Sequence, residues 1–134
     1  MSDYIAHDPA SYAGQVVGNG QCVAYVKDAA RVPHTSAWRR GRKVDAATPE
    51  GCAIATFGAG GTYENRTDGS SHAAILIRCH DAGLLVWDQW RGKAVSQRTI
   101  RFKNGQGTAN NDGSRYYEIA RDDAGSSDTA NRVL

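Results

Sequence analysis

The chain has 134 residues, 16 basic and 14 acidic side chains for a net charge of +2, 40% hydrophobic residues and 15 glycines. That length fits one compact domain, and the near balance of charge excludes a nucleic-acid coat and an acidic disordered chain. Its apolar runs, such as 73–77, are far short of the ~20 residues that a membrane span needs, so no membrane insertion is expected.

Residues 1–9 carry no basic n-region, no apolar h-region and no small-residue cleavage site. They do not read as a secretory signal, and synthesis in a cytoplasm is expected. The first helix signal covers Gln21 to Arg31, where Val23, Val26 and Ala30 recur at i, i+3 and i+7. Gly18-Asn19-Gly20 is a flexible turn into it, and Pro33 closes it. Thr35 to Arg40 reads as a second, short helix, capped by Thr35 or Ser36 and stopped by Gly41.

Beyond Pro49 the pattern turns to strands: 52–57, 72–79, 84–90, 95–102 and 115–119, separated by turn residues such as Asp81-Ala82-Gly83 and Arg91-Gly92. The connection from Gly58 to Ser71 is long and polar, as functional loops are. Residues 121–134 read as a poorly ordered tail. Helices followed by an antiparallel meander make an α+β domain spanning 1–134, with helices packed on one face of a sheet of about five strands.

Cys22 falls in the first turn of the first helix, where unpaired N–H groups and the positive end of the dipole favour a thiolate. A base must reach it, and the histidines are His7, His34, His72 and His80. His72 opens an apolar strand straight after a polar loop, so it can face a cleft while the strand is buried. Asp88 follows on the next strand, where its carboxylate can bond one imidazole nitrogen and leave the other facing the sulfur. The three are separated by 50 and 16 residues.

Three blocks then resemble the catalytic segments of papain-like peptidoglycan amidases of the NlpC and CHAP type. They are Gly18-Asn19-Gly20-Gln21-Cys22-Val23-Ala24-Tyr25-Val26, Ser71-His72-Ala73-Ala74-Ile75 and Val86-Trp87-Asp88-Gln89-Trp90. With Thr35-Ser36-Ala37-Trp38-Arg39 and Ala53-Ile54-Ala55-Thr56-Phe57, the chain is similar, more narrowly, to the small amidase effectors of bacterial type VI secretion systems. The resemblance implies a papain-like fold and cysteine-dependent hydrolysis of an amide in peptidoglycan stems or crosslinks. In it Cys22 is the nucleophile, His72 the general base and then acid, and Asp88 the orienting group. Gln21 is the candidate oxyanion donor beside the Cys22 N–H. The resemblance also implies a secretion apparatus, action in the periplasm of a target cell, and a cognate immunity protein. No cofactor or metal is expected.

Trp38 and Trp90 are candidates to line the substrate cleft. Cys52 and Cys79 lie at the far ends of one strand pair, where either a disulfide or two buried thiols fits the pattern. The basic run Trp38-Arg39-Arg40-Gly41-Arg42-Lys43, with its one aromatic, reads as a solvated helix face or a contact for an anionic polymer or an acidic partner. Two other functions compete with the effector reading: a phage or housekeeping wall lysin of the same superfamily, and a non-catalytic binding module that keeps the fold.

Overall fold

The computed structural model describes residues 2–121. Between Ala53 and Arg101 the alternating apolar residues form four consecutive antiparallel strands: β2 (Ala53–Ala55), β3 (Ala73–His80), β4 (Gly83–Trp90) and β5 (Lys93–Arg101). The short turns after His80 and Trp90 are those expected from Gly83 and Gly92. Two further strands complete the sheet, β1 (Arg39–Lys43) and β6 (Tyr117–Ala120), in the order β1-β6-β2-β3-β4-β5.

The chain therefore returns at its end to fill the gap between β1 and β2. β2 is buried on both faces, and its Ala53-Ile54-Ala55 sequence shows why: nothing in it needs water. Among the described residues there is one α-helix, α1 (Cys22–Ala30), packed across β3 and β4. Tyr25, Val26 and Ala30 are its buried residues, and Arg31 ends it in the left-handed conformation at φ 56°.

Side chains from α1, Trp38, Ala53, Ala73 and Ile75 form one core. A second lies on the opposite face, where Ile54, Leu76, Leu84, Val86, Ile100 and Tyr116 pack. Irregular segments around Val44, Phe102 and Tyr116 cover that second face. Each sheet face thus hides its apolar stripe from water, one under a helix and the other under loops.

The α+β class is as expected, with three corrections. The sheet has six strands rather than about five. Thr35–Ala37 is a single 3-10 turn rather than a helix reaching Arg40, because the Trp38 indole, anchored on the Pro33 carbonyl at 2.8 Å, draws the chain into the core. The basic run is accordingly edge strand β1, paired to β6. Its arginines and lysine leave that edge a poor template for a further strand. The expected tail lies outside the described residues apart from Arg121.

Candidate active site

Cys22 is the first residue of α1, so its own N–H and that of Val23 have no intrahelical acceptor, whereas the Ala24 N–H goes to the Gln21 carbonyl at 3.1 Å. Glycines at positive φ, Gly18 and Gly20, let the chain reverse immediately before it. One buried side chain moors that reversal. Gln89, on β4 and 0% exposed, accepts the Val17 N–H at 2.9 Å and donates to the carbonyls of Val17 at 2.9 Å and Gln21 at 2.7 Å. An amide satisfied on both its oxygen and its nitrogen has little freedom to turn.

His72 stands just before β3. Its backbone is pinned from both sides by Thr56, whose hydroxyl oxygen accepts the His72 N–H at 3.1 Å and whose N–H donates to the His72 carbonyl at 3.0 Å. The imidazole Nε2 meets Asp88 Oδ2 at 2.8 Å. That leaves Nδ1 as the ring nitrogen not engaged by Asp88, and the imidazole and the Cys22 thiol shift one another's protonation.

Asp88 is 0% exposed and is surrounded by donors. Arg98 Nε donates to Oδ2 at 2.7 Å, and Lys93 Nζ to Oδ1 at 3.2 Å and to the Asp88 carbonyl at 2.9 Å. Both cations flank the Trp90 ring, at 4.9 and 4.6 Å from its centre, and the His72 ring meets that indole at 6.3 Å in an edge arrangement.

These contacts set the charges. Burial pushes the Asp88 carboxyl up, but His72 and Arg98 overcome it and hold the group below its usual range. Burial pushes the His72 imidazole down, yet the bond to Asp88 and the proximity of Cys22 carry it up to about 9. Burial would raise the Cys22 thiol, but the hydrogen bond and charge of His72, the Ala73 N–H and the Tyr63 hydroxyl bring it below the ordinary value. The resting state these shifts favour is a thiolate beside an imidazolium.

The sulfur opens on a cleft of about 410 Å³ whose walls include Gln21, Cys22, Tyr63, His72, Trp90 and Arg91. Trp90 is 42% exposed and lines this cleft. Gln21 also lines the cleft, but among the described residues its side chain makes no hydrogen bond; its backbone is tied through the carbonyl held by Gln89 and the N–H given to Asn19 Oδ1 at 3.0 Å.

Trp38 does not line the cleft. It is 0% exposed, and its ring packs behind Tyr63 at 4.8 Å between centres. Cys52 and Cys79 are free thiols. Ala53 pairs with Ile75, which puts Cys52 beside Leu76, three residues short of Cys79. That offset is about 10 Å along a strand, beyond the ~7 Å limit for a disulfide.

Two side chains at the site escaped the sequence reading. Tyr63, in the loop before β3, brings its hydroxyl to 3.8 Å from Cys22 Sγ. Being the one aromatic between Gly58 and Ser71 was its only signal. Gln89 was visible as the neighbour of Asp88, since strand alternation sends adjacent side chains different ways.

The fold is that of an amidase effector. A solved structure of the type 6 secretion amidase effector 2 (Tae2) matches with a TM-score of 0.75 and 28% identity, over 88% of this chain and 94% of that one. A curated relative from Ixodes scapularis, domesticated amidase effector 2, is 38% identical over 121 residues, covering 84% of this chain and 81% of the relative. The model of the domesticated amidase effector 2 family matches residues 1–119, and the chain belongs to that family. The likeness to small type VI amidase effectors, read from the three blocks with the stretches at 35–39 and 53–57, is therefore shown. Among the described residues no helix is long and apolar enough to cross a membrane.

Proposed function

We propose that this protein is a papain-like cysteine amidase that hydrolyses an amide bond in the peptide stems or crosslinks of peptidoglycan. The observation that carries the reading is the buried chain of contacts from Asp88 through the His72 imidazole to a depressed-pKa Cys22 thiol on the cleft wall. The Cys22 thiolate adds to the amide carbonyl, and the carbonyl electrons move onto oxygen. As the adduct collapses, the C–N bond breaks and His72 gives its proton to the departing amine. His72, now neutral, takes a proton from water as that water attacks the thioester; the C–S bond then breaks, which releases the acid and restores the thiolate beside the imidazolium. Asp88 keeps the imidazole in the required tautomer.

The amidase effector names of both relatives support the substrate class. By analogy with the structural relative, we place the activity in an antibacterial effector delivered by a secretion apparatus to the periplasm of a target cell. An immunity protein then guards the producer by covering the cleft.

The test is digestion of purified sacculi. Cys22→Ala should lower release of new amino groups by at least about 10⁴-fold while the circular dichroism spectrum stays unchanged. A variant that still digested the wall would overturn the cysteine mechanism, and an inert wild-type protein would favour the binding-module reading. Mass spectrometry of the released muropeptides distinguishes cleavage within a stem, between D-Glu and diaminopimelate, from cleavage of the diaminopimelate to D-Ala crosslink.

A further inference from the structure

Tyr63 is buried, at 8% exposure, yet its hydroxyl faces the cleft. Among the described residues its one hydrogen-bond partner is the Cys22 sulfur at 3.8 Å, a long contact to a weak acceptor. Buried phenols ordinarily find a good acceptor, so this one is under-satisfied while no substrate is bound. The ring is fixed all the same, packed on Trp38 at 4.8 Å and on the Phe57 edge at 6.4 Å. A donor held in place before the reaction is what transition-state stabilisation needs, because it spends nothing on reorganisation when charge develops.

A second donor lies on the other side. Gln89 draws the Gln21 carbonyl into the protein, and in a trans peptide the N–H of Cys22 points the opposite way. When the sulfur bonds to a carbonyl carbon, the new oxyanion lies one bond beyond that carbon, within reach of a donor placed 3.8 Å from the sulfur.

We propose that the Tyr63 hydroxyl and the Cys22 backbone N–H together form the oxyanion site of this enzyme. The role expected for the Gln21 side chain passes to Tyr63, whose position needs no ordering. Burial, with the charge of Cys22, holds the Tyr63 phenol well above its usual pKa, so it stays a donor throughout. The inference rests on Cys22 being the nucleophile.

The test sets amide hydrolysis against alkylation. Iodoacetamide reacts with the Cys22 thiolate by displacing iodide from a saturated carbon, and no oxyanion forms. Tyr63→Phe removes one oxygen atom. It should lower kcat for release of amines from soluble muropeptides by about 10²-fold with KM little changed. Because Tyr63 is the smallest of the contributions that lower the Cys22 thiol, alkylation at a pH above the thiol's titration should stay within about twofold of wild type, with the pH profile displaced only slightly upward. The thermal midpoint reports whether the fold is intact. If it is disturbed, the comparison is made on alkylation-normalised rates, and affinity for N-acetyl-alaninal, whose hemithioacetal puts an oxygen in the same place, should still fall about tenfold.

Hydrolysis by Tyr63→Phe at the wild-type rate would overturn the inference. So would a parallel fall in hydrolysis and alkylation with a shifted pH profile, because Tyr63 would then serve the thiolate instead. Retained activity in Cys22→Ala would sink the cysteine mechanism itself. An inert Cys22→Ala beside a fully active Tyr63→Phe would refute only the oxyanion assignment.

Discussion

Asp88 takes three partners on one buried carboxylate, and the sum decides the charge of His72. His72 and Arg98 keep the carboxylate ionised, with Lys93 in contact at the other oxygen, and the ionised carboxylate keeps the imidazole protonated beside the sulfur. The alkaline limb of activity should follow the loss of that proton. In the wild type it should lie near pH 9, with activity falling as pH rises through that value. The acid limb reports the protonation of Cys22, and both limbs belong to the coupled pair rather than to either residue alone. Asp88→Asn removes the negative charge but leaves the two cations, so His72 loses its proton more easily. The alkaline limb should move toward lower pH and the rate should fall about 10²- to 10⁴-fold, as measured by pH–rate profiles of muropeptide hydrolysis. An unchanged limb would mean that Asp88 does not control the imidazole.

At the level of elements, β4 links the two halves of the site. Gln89→Leu roughly keeps the volume but strips the partner of the Val17 N–H and one of the two donors from each of the Val17 and Gln21 carbonyls, which keep the Gly20 and Ala24 N–H groups. Urea unfolding should show a loss of about 2–4 kcal/mol, and Cys22 alkylation should slow as the helix start loosens. The parts of the fold that were legible are those with strong local periodicity. Val23, Val26 and Ala30 marked α1, and the apolar runs of β3 and β4 marked the central strands. Cys22, His72 and Asp88 could be brought together because adjacent antiparallel strands and a helix start leave few arrangements. β1 was illegible: Arg39-Arg40-Gly41-Arg42-Lys43 has no apolar alternation, and it becomes a strand only because β6, some 75 residues later, supplies its partner. Tyr63 was hidden for a related reason. Its place against Cys22 is fixed by the packing of Trp38 and Phe57, and no local pattern records that.

Across the whole molecule the two cores make different demands. The second is closed by a loop organised around Asp112, which is fully buried and accepts from the N–H groups of Lys103, Gly105 and Ser114 and from the Ser114 hydroxyl. Burial pushes its carboxyl up, but these four donors hold it down at about 2. A carboxyl depressed in the folded state adds stability above its unfolded pKa of about 3.9, and that stability is lost as pH falls through about 2. Asp112→Asn should therefore lower the thermal midpoint at pH 7 and flatten its fall between pH 4 and 2. The cysteines give a further check. Even after mild oxidation, denaturing alkylation should label all three as free thiols, since Cys52 and Cys79 are out of disulfide register. A mass two hydrogens lower, with one label, would contradict that register.

Asp88 and Gln89 are consecutive on one strand, and one holds the imidazole while the other holds the turn that carries the sulfur. When β4 breathes, it therefore carries both reacting atoms in the same direction. The gap between them is set by neighbouring links on a common support, and so it is among the least variable dimensions of the site.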